Sequence, residues 1–338
     1  MLGKLIFGFN VTVAIVLLLT CILSFFSIQI IPVLSVLSLS VPFLFIVNVL
    51  FLLYWIYRKK RKFLWSLAAL AMGYFVFGPF YGVGNKNQDA DEISDLRIMT
   101  FNVWHFNKYE WIKEPNIGDR IIDFIKAEKP DILCIQEFHR ERKDELSQYP
   151  YNSITPDSVG KITQGIFSKY PILNKGSIDF PGTINNVIYV DLLVRSDTIR
   201  VYNMHLQSFS IVPSSETFSE KESEKTYKRL VNTFSKQLEQ AKIFNDHVKQ
   251  SPYSTIVCGD LNNTQFSNIY RIVRDDLQDS FLEKGNGFGR TYKIFNFPLR
   301  IDYVLADASF QVISHTNFDE KLSDHYPVAA TLRYTSHQ

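Results

Sequence analysis

Cysteine is scarce: Cys21, Cys134 and Cys258 are the three in 338 residues. Three thiols set no disulfide framework and no ligand spacing links them, so each reads as a buried free thiol rather than a staple or a metal ligand. Charge is missing more unevenly. Residues 1–81 hold no acidic side chain, and their basic ones are Lys4 and the run Arg58-Lys59-Lys60-Arg61-Lys62. Of 36 basic and 34 acidic side chains, seven basic and one acidic lie before residue 91, which leaves 29 against 33 beyond it, a net charge of −4. The larger part of the chain therefore lacks the basic excess of a non-specific duplex binder, although a metal can still supply local positive charge for phosphate chemistry. The first apolar segment also lacks a small-residue cleavage site and is followed at once by another, which argues against a removable signal peptide.

Long apolar runs fill the uncharged part. Leu5 to Ile28, Val33 to Tyr57 and Phe63 to Tyr81 each approach or exceed the ~20 residues that a bilayer's hydrocarbon core requires. They predict three transmembrane helices, the first two forming a hairpin that turns at Gln29 to Pro32, with a kink at Pro42. The basic run belongs on the cytoplasmic side, flanked by Tyr54, Trp55, Tyr57 and Trp65 as interfacial aromatics. Lys4 then shares that side, the third helix exits, and everything after Gly82 is extracytoplasmic, periplasmic or external. The expected organisation is a membrane anchor over 1–81, a linker over 82–94 and a globular domain over 95–338.

Within that domain, Leu96 to Trp104 begins as an alternating strand and ends in polar residues. Ile121, Ile122, Phe124 and Ile125 form a helical apolar stripe over 118–128, which Pro130-Asp131 stops. Ile132 to Gln136 is apolar without alternation, as in a strand buried on both faces. Glu137 at its exit needs a partner, for a lone buried carboxylate is costly; an N-cap or an ion pair with His139 or Arg140 is the plain alternative to a site role. Asn186–Val194 and Thr198–Leu206 predict a hairpin that brings His205 to a strand end. A helix carrying Leu230, Phe234, Leu238, Ala241, Phe244 and Val248 follows, on which His247 reads as solvated. Thr255 to Asn263 repeats the buried-strand pattern, with Gly259 permitting a tight turn before Asp260 and Asn262. Arg300 to Leu305 and Ser323 to Val328 complete the series: one carboxylate, Asp302, on a short strand, then Asp324 directly before His325. That pairing suits a base, a group to orient it, and a metal or phosphate to work on. Strands alternating with helices, some in hairpins, predict an α/β fold of two mixed β-sheets packed face to face with helices outside. A single polar residue ending a strand is usually a turn former, but eight of them (Asn102, Glu137, His205, Asp260, Asn262, Asp302, Asp324 and His325) suggest one shared site.

Thr100-Phe101-Asn102, Pro130 to Glu137, His205-Leu206, Gly259-Asp260-Leu261-Asn262, Arg300-Ile301-Asp302-Tyr303 and Ser323-Asp324-His325-Tyr326-Pro327 follow one another in the chain. In that order they resemble the endonuclease/exonuclease/phosphatase family of metal-dependent phosphoesterases, over residues 95–334. The resemblance implies a four-layered α/β sandwich and a Mg²⁺-dependent hydrolase, with Mn²⁺ as a substitute. It implies Glu137 as principal metal ligand with Asn102 beside it, and Asp324 in the metal or phosphate environment. His325 would be the general base, held by Asp302, with Asp260 and Asn262 positioning the nucleophile and a phosphoryl oxygen. Asn102, Asn262 and His205 would touch substrate. His205-Leu206 is similar to the deoxyribonuclease and sphingomyelinase branch, in which this histidine is a general acid; the abasic-site branch lacks it. The implied substrates are nucleic acid or a phospholipid head group, with the bilayer as the other partner and no protein partner evident. The anchor favours lipid, for which Phe209 to Phe218 is the candidate membrane-inserting segment. The competing possibility is a catalytically inactive, membrane-tethered binding module.

Overall fold

A computed structural model describes residues 1–25, 36–84, 95–157, 160–209, 220–294 and 297–335, with 220–223 and 293–294 as backbone only. Parts of the first two expected spans, most of the expected linker and all but the start of the 209–218 segment lie outside these residues. The chain forms two units. One comprises Met1–Phe80 with the described parts of Ser214–Glu239 and Thr264–Ile272, and the other comprises the remainder.

The first unit contains α1 (Leu2–Leu23), a 3-10 turn (Val36–Ser40) leading into α2 (Val41–Tyr57), and α3 (Phe63–Phe77). Leu2–Leu23 and Val36–Tyr57 are each 22 residues long with mean hydropathy 2.5, enough to cross a hydrocarbon core. The third helix differs from the expected three spans: it has 15 residues, about 22 Å at 1.5 Å per residue, and so falls short. Hydropathy ran on through Gly78-Pro79-Phe80-Tyr81, but Gly78 takes φ 76° and proline cannot continue the helix, so among the described residues two helices rather than three have spanning length. Pro42 sits in the first turn of α2, where its missing N–H is harmless, instead of kinking a helix interior. Inside the bundle Asn10 is buried and fully engaged: its Nδ2 donates to Ser66 Oγ (2.7 Å) and its Oδ1 accepts from Trp55 Nε1 (3.0 Å). At the end of α3, Gln265 Nε2 donates to Phe77 O at 3.0 Å, and Phe266 stacks on Phe80 with centroids 4.6 Å apart.

Among the described residues the second unit holds sixteen strands. They are β1 (Gly82–Val83), β2 (Asp95–Asn102), β3 (Ile132–Gln136), β4 (Tyr151–Ile154), β5 (Gly165–Ser168), β6 (Ile172–Asp179), β7 (Asn186–Val194), β8 (Asp197–His205), β9 (Ser254–Asp260), β10 (Gln278–Asp279), β11 (Asn286–Gly287), β12 (Tyr292–Ile294), β13 (Phe297–Leu299), β14 (Asp302–Ala306), β15 (Phe310–Asn317) and β16 (Val328–Tyr334). Two six-stranded sheets run in the orders β15-β16-β2-β3-β5-β4 and β10-β14-β9-β8-β7-β6. Both are mixed, with β2/β3 and β8/β9 parallel and the other pairs antiparallel. Alternation of side chains along each strand sorts two cores. Ile98, Ile132, Cys134 and Ile166 of one sheet meet Val190, Val201, Ile256, Cys258 and Val304 of the other. Met99, Phe101, Leu133 and Ile135 point the opposite way, onto Ile117, Ile121, Ile122 and Ile125 of the helix α4 (Ile117–Glu128). On the outer face of the second sheet, Phe244 of the helix α5 (Glu220–Val248) sets its edge against Tyr202 at 5.3 Å. Helix, sheet, sheet, helix is the layering expected. Each fully buried Ile or Phe here contributes about 1.5–3 kcal/mol, so both cores hold the fold together. His247, expected in solvent, instead has its Nδ1 3.0 Å from Tyr202 Oη, a partner the helical pattern alone does not reveal.

Candidate active site

Register brings the polar strand ends to one edge. Parallel β2 and β3 finish together, Asn102 opposite Gln136, so Glu137 emerges beside Asn102. Parallel β8 and β9 finish with His205 opposite Asp260, and antiparallel β14 begins where β9 ends, with Asp302 opposite Asp260. Gly259 permits this: it takes φ 135°, and a Cβ on it would lie 2.0 Å from Met204 O in the neighbouring strand. His325 precedes β16, whose Val328 pairs with Thr100 two residues before Asn102. Asn102 Nδ2 joins the sheets by donating to Asp260 Oδ2 at 3.1 Å, and lies 3.4 Å from Glu137 Oε1.

The eight residues singled out in the sequence are thus brought together. His325 Nδ1 is 2.9 Å from Asp302 Oδ2, and its Nε2 is 3.6 Å from Asp260 Oδ2. Asp260 also accepts from the Asn262 backbone N–H (2.7 Å), while Asn262 Nδ2 donates to Leu206 O (3.0 Å). His205 Nε2 faces both Asp260 Oδ2 (3.7 Å) and Glu137 Oε1 (3.8 Å), distances beyond a direct hydrogen bond. Asp324 joins through Ser323, whose hydroxyl donates to Asn102 O at 2.8 Å and lies 3.1 Å from Asp324 Oδ1.

Burial and mutual repulsion dominate the electrostatics. Burial, then the Asp324 charge, push the Glu137 carboxyl up. Burial also raises Asp260 to about 8, with Asp302 adding to the effect and His325 opposing it. Burial raises Asp324 as well. For His325 burial acts against the proton, but the carboxylates of Asp302, Asp260 and Asp324 outweigh it and lift the imidazole well above its ordinary value. His205 goes the other way, down to about 3, through burial and then the fields of His325 and His105. It is therefore a neutral imidazole, and its buried Nδ1 has no hydrogen-bond partner among the described residues.

Three further residues were not singled out in the sequence. Tyr292 lies against the His325 ring, with centroids 4.8 Å apart; burial and then Asp324, Asp260, Glu137 and Asp302 raise its hydroxyl to about 12, so it feels the whole carboxylate cluster. Ser323 is the joint just described. His105 Nε2 is 3.6 Å from Glu137 Oε2. The signal for His105 was its place three residues beyond Asn102, but it belongs to no strand end. It stands in a turn where Trp104, His105, Phe106 and Asn107 all adopt φ between 46° and 56°. Left-handed backbone costs such residues about 1–2 kcal/mol each, so the surroundings must hold the turn in place. They do: the Trp104 N–H donates to Asn102 Oδ1 (3.1 Å) and the His105 N–H to Glu137 O (3.0 Å).

The donor set fits a hard divalent cation. Glu137, Asp260, Asp324 and the Asn102 amide offer oxygens, and the raised carboxylates mark negative charge that neutral hydrogen-bond donors and imidazoles leave incompletely offset. Asp260, Asp302 and His325 also bring potential ligand atoms within 4.8 Å of one another, although Asp302 and His325 are already bonded to each other.

Residues 99–325 match the model of the Endonuclease/Exonuclease/phosphatase family, and residues 3–80 match a domain of unknown function. No curated protein matches the chain. Among solved structures, an endonuclease/exonuclease/phosphatase from Beutenbergia cavernae is 21% identical with TM-score 0.53, over 71% of this chain and 72% of that one. A D. rerio TDP2 complexed with single strand DNA product is 16% identical with TM-score 0.54, over 71% and 99%. A Bacteroides thetaiotaomicron mannosyl-6-phosphatase is 16% identical with TM-score 0.53, over 70% and 99%. These likenesses show the shared fold. The family match covers most of the chain and carries every site residue from Asn102 to His325, so the chain belongs to the endonuclease/exonuclease/phosphatase family, whose members are hydrolases acting on phosphoester bonds.

Proposed function

We propose a membrane-anchored, divalent-metal-dependent phosphoesterase in which His325 is the general base. The observation that carries this is the Asp302–His325 pair, set at 2.9 Å beside the carboxylates of Glu137 and Asp260. With Nδ1–H donated to Asp302, Nε2 is left to take a proton from water as the water oxygen attacks phosphorus. Asp260 and Asn262 would position the nucleophile and a phosphoryl oxygen, with Asn102 beside them. His205, held neutral, donates its Nε2–H toward the ester oxygen as the P–O bond breaks, and delivers a proton only when an anionic substrate raises its basicity. Glu137, with Asn102 and Asp324 near it, would hold the metal, Mg²⁺ by the hardness of its donors. Such a cation supplies charge neutralisation for the carboxylates and for the phosphoryl group.

The anchor is residues 1–81, joined through 82–94 to the catalytic chain 95–338, in which 264–272 clusters with the helices. The basic run 58–62 stays cytoplasmic; an extracytoplasmic catalytic chain then needs a further crossing by the 15-residue α3 together with the apolar Gly78–Tyr81 stretch. An anchored enzyme with an acidic catalytic chain favours a phosphoester presented at the membrane, such as a lipid head group, over duplex nucleic acid. The test uses the full chain in detergent: Mg²⁺- or Mn²⁺-dependent hydrolysis of bis(p-nitrophenyl) phosphate, falling at least about a hundredfold in His325→Ala. Folded, metal-loaded protein without turnover on plasmid DNA, RNA, sphingomyelin, phosphoinositides or this diester would refute the reading and leave a binding module.

A further inference from the structure

The strained turn after Asn102 displays aromatic surface beside the site. Trp104 and Trp111 stack with ring centroids 4.2 Å apart and planes 19° from parallel, and Tyr109 leans on Trp111 at 4.9 Å. Trp111 is 44% and Tyr109 60% exposed, so this is no core. Its base is fixed to the reaction centre twice: Trp104 through Asn102 Oδ1, and His105 through the Glu137 carbonyl, with its imidazole at Glu137 Oε2. Resting on the phosphoesterase reading, we propose that Trp104, Tyr109 and Trp111 form a stacking wall for a hydroxylated ring, pyranose or cyclitol, in the phosphorylated part of the substrate.

Charge decides between such a ring and a nucleobase. Stacking platforms for single strands sit in positively charged grooves that track the phosphates. Here the segment from Trp104 to Glu114 carries Lys108 and Lys113 against Glu110 and Glu114, which balance. Neighbouring arginines are already paired: Arg120 with Glu114, Arg140 with Asp157, and Arg142 with Glu145 and Asp119. An aromatic wall without a basic track suits an uncharged ring, whose C–H face lies on indole while its hydroxyls reach side-chain acceptors such as the exposed Glu110.

The test compares full-length wild type, Trp111→Ala, Trp111→Phe and Trp104→Ala on matched esters. Ring-bearing esters are hexose 6-phosphate and glycerophosphoinositol, ring-free ones are glycerol 3-phosphate and glycerophosphoethanolamine, and a dithymidine monophosphate diester is the nucleobase arm. Expected is a KM rise of about tenfold for the ring-bearing polyol esters in both alanine variants; in Trp111→Ala, which lies off the Asn102 contact, kcat is kept and ring-free esters are unchanged, and Trp111→Phe restores affinity. Equal losses on all esters would show a merely structural cluster, and a loss confined to the dithymidine ester would show a nucleobase platform; either overturns the proposal. If the wild type turns over nothing, the phosphoesterase reading fails by itself. Saturation-transfer NMR from protein to the ring protons of inositol 1-phosphate still decides the wall: transfer lost in Trp111→Ala upholds it, and no transfer in the wild type sinks it.

Discussion

At the scale of single residues, the site depends on one clamp. Asp302 lies 2.9 Å from His325 and raises its proton affinity; as the proposed general base His325 must be neutral, so activity is expected to be lost as pH falls through its pKa. Asp302→Asn removes the raising charge, and the acid limb of the kcat/KM profile is expected to move to lower pH, while its plateau drops about a hundredfold or more from lost orientation. A limb that stays in place would mean that Asp302 does not face the titrating group. Asn102, Glu137, His205, Asp260, Asn262, Asp302, Asp324 and His325 were all legible as polar residues at the ends of apolar strands. Tyr292 and His105 were not, because one contacts His325 across an isolated bridge and the other depends on four left-handed residues that no spacing encodes.

At the scale of elements, hairpins, buried strands and the α4 stripe were legible because periodicity reports burial directly. The length of α3 was not, since hydropathy counts Phe80 and Tyr81 as readily outside a helix as inside it. Gly259 is where a strand's path sets the chemistry. Gly259→Ala would place a Cβ 2.0 Å from Met204 O at φ 135°, and is expected to destabilise the protein by about 2 kcal/mol or more in denaturant melts. It should also displace Asp260 from His205 and reduce turnover beyond the loss of folded protein. A second element contact tunes acid stability. Where the short helix Ser280–Lys284 meets β15, His315 Nδ1 sits 2.8 Å from Ser280 Oγ and Nε2 3.1 Å from Asn317 Oδ1. Burial lowers its pKa from 6.5 to about 4, with the Arg300 charge helping and Asp279 opposing. Because the unfolded chain binds this proton more readily, the stabilisation is complete above about pH 6.5 and declines as pH falls toward 4. His315→Gln should narrow the difference in Tm between pH 7 and pH 5; an unchanged difference would assign the acid sensitivity elsewhere.

At the scale of the whole molecule, an extracytoplasmic catalytic chain predicts that protease added outside intact cells or spheroplasts removes it, and full protection would place it on the cytoplasmic side. The interleaving of the two units was invisible in the sequence, where Thr264–Ile272 looks like an ordinary continuation of the Asp260 motif rather than company for the helices. The buried amide of Asn10 has a consequence for how the anchor is made. Its two partners, Trp55 and Ser66, emerge from the ribosome 45 and 56 residues after it. In the proposed membrane anchor, α1 carries an unmet polar group until both arrive, a burden on the order of 1 kcal/mol. In that reading Asn10 is satisfied only once residue 66 has arrived, so the three helices complete their packing together and late.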